Sequence, residues 1–328
     1  MTATPRSRPR VGWLALAATA GGMLCTAQAQ ATNTLPELEW VKSEIERLLP
    51  GSFDSYPQIY VERMLGAPPD GEHDHWCRVF APVDVPHLGD NVFYAQVHTG
   101  GCSGPVIPGQ QVLHFLTIDE ENMVVELNGR RIANQAEFED AHLRPEVWPD
   151  LEIDERYGGN CDFRWRLAGD QVRGILMEDG SCTHTSRISG DTYTWKAEWL
   201  LGEDARWVFD NGYTEAGDLF VGREDRTHLR LYRTRDFTCS VGDGADERHT
   251  LEVHDRGQAE PLPVGPEGAQ LRILRGPLPN SRGTAMAEVT RLSLLDADGG
   301  VIAETRVTGA PSHVVLDYPG FSARCVSM

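Results

Sequence analysis

The amino-acid sequence predicts a mainly β protein, an antiparallel β-barrel or sandwich with two short helices outside it and a small C-terminal β element. Apolar and polar residues alternate over many short stretches, as expected of strands buried on one face. Turn-forming residues separate these stretches at intervals of about 8 to 12 residues, which is typical of all-β folds. A closed barrel of about eight or more strands has room for a small ligand.

Two segments carry the signals of helices. The first begins after Thr34, a residue type that caps helices, and ends before Pro50, with leucine, valine and isoleucine at helical spacing between them. The second begins at Asn134, where Glu137 suits a capping box, and ends before Pro145.

Most of the remaining sequence has the pattern of strands. The clearest is 192–199, in which Tyr193, Trp195 and Trp199 share one face. Further predicted strands are 91–98, 112–118, 123–127, 207–209, 227–234, 271–274, 288–295, 301–307 and 314–316. Glycines and prolines crowd 255–270, which predicts a loop or linker there.

Cysteines bracket a predicted hairpin. Phe163 and Trp165 alternate with charged residues after Cys161, and turn residues separate this strand from a second one that ends near Cys182. The open end of such a hairpin brings both thiols together, so we predict a Cys161–Cys182 disulfide. Four other cysteines follow residue 31, and many pairings are open. Cys77 with Cys102 and Cys239 with Cys325 would complete the set.

The N-terminus predicts export. Arginines precede an apolar run over 11–24, which is shorter than a membrane span and is followed by small residues. We therefore predict a signal peptide over 1–31, a periplasmic or secreted protein, and no membrane span. An exported chain meets an oxidising compartment, where disulfides persist.

Composition restricts the partners. The chain has 328 residues, 40% of them hydrophobic, which is enough for a large core. Its formal charge of −19 argues against nucleic acid and anionic membrane surfaces. The predicted organisation is a signal peptide over 1–31, a barrel domain over 32–240 and a C-terminal β-rich extension over 241–328.

No familiar catalytic signature is present. The GEHDHW segment offers His73 and His75, but the pattern indicates no third metal ligand, so we predict no metal site. A metal-dependent hydrolase is the lowest-ranked hypothesis. His98 and His114 lie on predicted strands and are candidates to face a barrel lumen.

A series of short motifs between residues 38 and 237 resembles the CpcT/CpeT family of chromophore lyases, which attach linear tetrapyrroles (bilins) to cysteines of phycobiliproteins. The matching motifs are GSFDSYPQ at 51–58, VFYAQ at 92–96, GNC and FRW at 159–165, DGSC at 179–182, SGDTYTWKAEWLL at 189–201, FDNG at 209–212 and LYRTRDF at 231–237. The resemblance implies a lipocalin-like barrel that binds a bilin without a required cofactor. It also implies an acceptor protein and a homodimer as candidate partners.

The resemblance also implies functional residues. Asp210 of the FDNG segment falls where the family has an aspartate that pairs with pyrrole nitrogens, so it is the candidate catalytic residue. The candidate ligand-binding residues are Gln58, Tyr94, Gln96, His98, Gln111, Trp165, Tyr193 and Trp195. The family's Pro-Tyr-Arg segment falls at 108–111, where the tyrosine and arginine are missing, and a family carboxylate is lost at 94–96.

Two function hypotheses remain open. In the first, an exported chromophore lyase-like protein binds a bilin or a similar apolar ligand in its barrel and transfers it to a cysteine of a partner. This hypothesis predicts a sizeable cavity with Asp210 at its wall. The alternative is an exported, non-catalytic structural or interaction protein with a packed barrel and Asp210 in an exposed turn.

Overall fold

The computed structural model of the protein describes residues 34–154, 161–169, 171–176, 182–185, 189–225, 227–242, 248–279 and 286–328. The predicted signal peptide lies outside these residues. Among the described residues, no helix is long and apolar enough to cross a membrane.

Ten of the described strands close into an antiparallel barrel, which confirms the predicted fold class. Each strand pairs with its neighbour around the ring, and the last pairs with the first. In ring order the strands are β1 (Gly51–Asp54), β2 (Trp76–Val83), β3 (Val92–Thr99), β4 (Val112–Asp119), β5 (Val124–Arg131), β6 (Asp162–Ala168), β7 (Gln171–Leu176), β9 (Thr192–Leu201), β10 (Ala205–Thr214) and β12 (Leu229–Arg233). Two short strands extend the sheet beside the ring, β8 (Thr183–Thr185) on β9 and β11 (Leu219–Val221) on β10.

Helix α1 (Leu35–Leu48) packs its apolar stripe into one part of the barrel core. The helix begins after Thr34, as the sequence predicted, and a capping box joins Thr34 and Glu37. At its C-terminal end, Arg206 and Arg233 donate hydrogen bonds to the last carbonyl groups. Guanidinium groups stabilise this end because the helix dipole is negative there.

The core beside α1 is closely packed around Trp165, which is 1% exposed. Gly174 on β7 lies opposite Trp165 on β6, and a Cβ at residue 174 would stand 2.6 Å from the indole ring. Glycine is therefore required at this close approach between two strands.

The helix predicted from Asn134 is wrong in type. The chain forms 3₁₀ turns at Gln135–Phe138, Ala141–Leu143 and Pro145–Asp150. Asn134 and Asp140 both have a positive φ, which a right-handed α-helix excludes. These turns cover the outer face of β3 and form a separate apolar cluster with it.

A second α-helix, α2 (Tyr56–Met64), forms where none was predicted. Its aromatic and β-branched residues have low helix propensity, so the local sequence did not indicate a helix. Tertiary contacts stabilise it instead: Tyr56 packs against Gly257, and Arg291 lies 4.4 Å from the ring centroid of Tyr60. Ile59 is 1% exposed.

The C-terminal β element is a pair of four-stranded antiparallel sheets that share an apolar core. Its strands are β13 (Asp236–Gly242), β14 (His249–His254), β15 (Arg256–Pro261), β16 (Gln270–Pro279), β17 (Met286–Leu295), β18 (Val301–Thr308), β19 (His313–Tyr318) and β20 (Phe321–Ser327). The linker predicted over 255–270 is therefore wrong in its first half, which is β15. The barrel ends with β12 and this element begins with β13, while the 240/241 domain boundary stays a prediction.

Three disulfides join Cys77 to Cys102, Cys161 to Cys182, and Cys239 to Cys325. They confirm the favoured pairing and the two that completed the set. Three disulfides indicate an oxidising compartment, which agrees with export.

Candidate functional site: a cavity inside the barrel

The barrel encloses a partly open cavity of about 530 Å³. None of the α1 residues lines it. Inward-facing side chains of the barrel strands form its wall, and loop residues at 72–74 and 222–223 contribute to its lining. A volume of this size suits an organic ligand of drug-like dimensions.

The wall is mainly apolar and aromatic. Its apolar members include Phe80, Phe163, Leu176, Trp195, Trp199 and Val208. The rings of Phe163 and Trp199 lie 4.6 Å apart between centroids, and Phe80 meets Trp199 edge-on at 6.1 Å. Such a wall favours ligands with flat, conjugated surfaces.

Arg78 and Asp210 form a salt bridge in the wall of the cavity. Arg78 on β2 donates a hydrogen bond from Nη2 to Asp210 Oδ2 at 3.0 Å, and Trp199 Nε1 donates to Asp210 Oδ1 at 3.2 Å. Asp210 lies within strand β10, opposite Ala197 on β9. The aspartate therefore stands in the cavity wall rather than in a turn.

The guanidinium group of Arg78 has few partners for its five donors. Arg78 is 8% exposed, and its Nε is buried without a hydrogen-bond acceptor in the described part of the chain. Trp76 and Trp199 flank the group, with ring centroids 5.5 Å and 5.6 Å from Cζ. These cation–π contacts offset part of the desolvation of Arg78.

His114 on β4 is a second polar residue of the cavity wall. Its Nδ1 is buried and lacks a hydrogen-bond partner among the described residues. Burial, together with the nearby positive charges of Arg206 and Arg78, lowers the pKa of His114 to about 3. The ring is therefore neutral at neutral pH.

The buried, neutral state of His114 predicts acid sensitivity. Above the ordinary histidine pKa, this residue is neutral in both the folded and the unfolded protein, and its folded environment costs no stability. As the pH falls below that value, the unfolded chain binds a proton that the folded chain does not, so the free energy of unfolding decreases. Between pH 7 and 4.5, we expect His114 to account for a loss of about 2 kcal/mol in the free energy of unfolding. Urea unfolding at both pH values should show a smaller loss for His114→Gln than for wild type.

The exposed His313 provides the matched control. His313→Gln should lose as much stability as wild type over the same pH interval. Equal losses in wild type and His114→Gln would show that His114 does not cause the acid sensitivity.

The Cys161–Cys182 disulfide also lines the cavity, and His184 Nε2 lies 3.4 Å and 3.7 Å from its two sulfurs. These three residues are one of two described groups with metal-ligand spacing, and the other is Asp54, Cys102 and His254. Each group includes sulfur that is already bonded to another sulfur.

The histidines of the GEHDHW segment bind different carboxylates. His73 Nδ1 lies 2.6 Å from Glu62 Oε1, and His75 Nε2 lies 2.9 Å from Asp54 Oδ1. Among the described groups with metal-ligand spacing, none contains either histidine. The hydrolase hypothesis gains no support from these contacts.

Three of the predicted ligand-binding residues lie on β3, and their side chains form one hydrogen-bond network. The hydroxyl group of Tyr94 donates to Gln96 Oε1 at 2.7 Å, and Gln96 Nε2 donates to His98 Nε2 at 2.8 Å and to Asp140 Oδ1 at 2.5 Å. Asp140 belongs to the segment that covers the outside of the barrel. Gln96 borders the cavity, whereas Tyr94 and His98 do not line it.

The other predicted ligand-binding residues have different surroundings. Trp195 lines the cavity, as does the predicted catalytic residue Asp210. Gln58 lies on α2 and accepts a hydrogen bond from the backbone N–H of Arg230, and Gln111 bonds the backbone of Gln135. Trp165 is part of the packed core, and Tyr193 stacks on Phe220 at 4.7 Å. The ligand-binding roles of these residues stay predictions.

Arg78 is one of several polar cavity residues that the sequence did not indicate, and Glu72, His184, Arg223 and Thr227 are others. A signal does exist: a lone cation stands between Cys77 and Val79 in an otherwise apolar strand. Its partner Asp210 follows 132 positions later, so the sequence alone could not pair them.

Known proteins give little further information about this chain. No model of a known family matches the sequence, and no curated protein matches it. Among solved structures, the CRL protein of Arabidopsis is 14% identical, with a TM-score of 0.44 over 58% of this chain and 95% of that one. A member of the duf4221 family from Bacteroides vulgatus is 9% identical, with a TM-score of 0.14 over 76% of this chain and 91% of that one. Neither similarity assigns a family or a function to this chain.

Proposed function

We propose that this protein binds an apolar small molecule inside its barrel, and that a linear tetrapyrrole is the best candidate ligand. One observation carries the proposal: a cavity of about 530 Å³ has a mainly apolar, aromatic wall, into which polar groups such as the Arg78–Asp210 pair and His114 are set. Ligand sites in proteins commonly combine these properties. The fold leaves this space although the core beside α1 is filled.

A tetrapyrrole suits the chemistry of the wall. Its conjugated rings would contact Trp195, Trp199 and Phe163, which line one cavity. Its pyrrole N–H groups would donate to Asp210, whose side chain keeps 24% exposure beside Arg78. A carboxylate is the favoured acceptor for a protonated, positively charged bilin.

Transfer of the bound bilin to a partner protein is the second part of the proposal. In that reaction, a cysteine thiol of the acceptor adds across the ethylidene double bond. A carbon–sulfur bond and a carbon–hydrogen bond form, the double bond is consumed, and no oxidant is needed. Asp210 would hold the bilin in its protonated form and orient it for the incoming thiolate.

An absorbance titration tests the binding proposal. Wild-type protein with its disulfides intact should give a saturable red shift with at least one of biliverdin, phycocyanobilin and haem. Asp210→Asn should raise the dissociation constant of the bilin about tenfold or more. The reason is that a hydrogen bond to a charged carboxylate is stronger than one to a neutral amide. The substitution changes the charge at little steric cost.

Asp162→Asn is the matched control. Asp162 is also paired with an arginine, Arg130, but it does not line the cavity. This variant should bind the pigment with the same dissociation constant and the same red shift as wild type. Unchanged binding by Asp210→Asn would remove Asp210 from the site, and flat spectra with all three pigments would favour the structural or interaction function.

A further inference from the structure

We infer that the ligand of the barrel is an apolar acid, whose carboxylate accepts hydrogen bonds from Arg78 inside the cavity. The inference rests on the proposed function, since it requires that the cavity holds a ligand. It adds a property that neither the motifs nor the fold class implied, namely the charge of the ligand and the residue that recognises it.

Arg78 lines the cavity and has more hydrogen-bond donors than acceptors around it. Among the described residues, its guanidinium group donates from Nη2 to Asp210. Its Nε has no acceptor there and is sealed from the cavity, so a ligand would bind the two Nη groups. A carboxylate in the cavity would accept from these groups in addition to Asp210.

The shape of the surroundings determines how such an acceptor approaches. Trp76 and Trp199 cover the guanidinium group, with centroids 5.5 Å and 5.6 Å away. Both tryptophans line the cavity together with Arg78. An acceptor must therefore approach the edge of the guanidinium plane, which is the direction in which carboxylates bind arginine.

Charges on the barrel strands near Arg78 favour an anion over a cation. Arg206 is 1% exposed, and its Cζ lies 4.1 Å from the ring centroid of Phe80, a residue of the cavity wall. Burial lowers the pKa of His114, and the positive charges of Arg206 and Arg78 act in the same direction, so both cations lie near this histidine. In this strand part of the site two guanidinium groups face one carboxylate, Asp210, whereas the loop part of the lining carries Glu72, Asp74 and Arg223.

Asp210 does not argue for a cationic ligand. One of its oxygens accepts from Arg78 and the other accepts from Trp199. The aspartate and the arginine can therefore bind two different parts of one ligand. The pyrrole N–H groups of a tetrapyrrole would donate to Asp210, and its propionate would accept from Arg78. The apolar remainder of the wall then selects an acid with a large apolar body.

The test compares acids with uncharged relatives of the same shape. Dissociation constants for biliverdin and biliverdin dimethyl ester, and for dodecanoate and dodecanol, are measured by quenching of the cavity tryptophans. We expect wild-type protein to bind each acid about tenfold or more tightly than its uncharged relative, as one charge-assisted hydrogen bond contributes about that factor.

A double variant then locates the preference. Arg78→Met together with Asp210→Asn removes both charges at similar volume, so that neither is left buried and unpaired. The preference for the acid should fall to about one in this variant. Arg166→Met, which removes an exposed cation on β6, is the control and should keep the preference.

Each outcome decides between the two proposals. Equal binding of the acid and its uncharged relative overturns the inference and leaves the ligand-binding function intact. Tighter binding of dodecanoate than of dodecanol, without binding of biliverdin or its ester, supports the inference and overturns the proposal that the ligand is a tetrapyrrole. A preference that survives in the double variant overturns the role of Arg78, and no binding of any of the four compounds overturns both proposals.

Discussion

Replacement of Trp165 by alanine should lower the free energy of unfolding by about 3–5 kcal/mol, the largest loss that we expect from any single substitution in the barrel. Trp165 is 1% exposed and packs with Phe163 and Trp199. Alanine would leave a large void, because the β-barrel around it is closed and relaxes little. Urea unfolding followed by circular dichroism measures the loss.

Leu167 on the same strand is the matched control. Its side chain is 44% exposed, so Leu167→Ala should change the free energy of unfolding by less than about 1 kcal/mol. A loss of similar size in both variants would contradict the placement of Trp165 in the barrel core.

Removal of the Cys239–Cys325 disulfide should have the second-largest effect. The bridge joins neighbouring strands β13 and β20 across a sequence separation of 86 residues, and both cysteines are 0% exposed. Replacing both with alanine should lower the free energy of unfolding by about 2–5 kcal/mol, because the unfolded chain gains the freedom of a long loop.

The Cys161–Cys182 bridge provides a comparison within the same chain. It closes only 21 residues, so its removal should cost less than removal of the longer bridge. A larger loss for the shorter bridge would show that unfolded-state entropy does not dominate the contribution of these disulfides. Both double variants can be compared by urea unfolding under oxidising conditions.

Local patterns predicted much of the barrel correctly. Alternation over 192–199 and the hairpin from Cys161 reflect strands that are apolar on the inner face only, so period-two patterning is visible. The helix start after Thr34 was predicted from an equally local signal, the residue type of the cap. Helix α2 could not be predicted in this way, since its stability depends on residues such as Arg291 that follow far later in the chain.

The candidate site was less accessible to sequence reasoning. Strand β3 is buried on both faces from Val92 to His98, so alternation there does not tell which residues face the lumen. The sequence predicted Tyr94, Gln96 and His98 of this strand as ligand-binding residues. Their side chains bond one another and Asp140, and of the three Gln96 alone borders the cavity. The pairing of Arg78 with Asp210 could not be predicted from a motif, because closure of the barrel brings these two residues together.

The most direct test of ligand binding is a titration of wild-type protein with biliverdin, followed simultaneously by pigment absorbance and indole fluorescence. Trp76, Trp195 and Trp199 line the cavity, so a ligand in the barrel must change both signals together. We predict a saturable red shift and parallel quenching at one pigment per chain. Unchanged absorbance and fluorescence at saturating pigment would contradict the proposal that this barrel binds a tetrapyrrole.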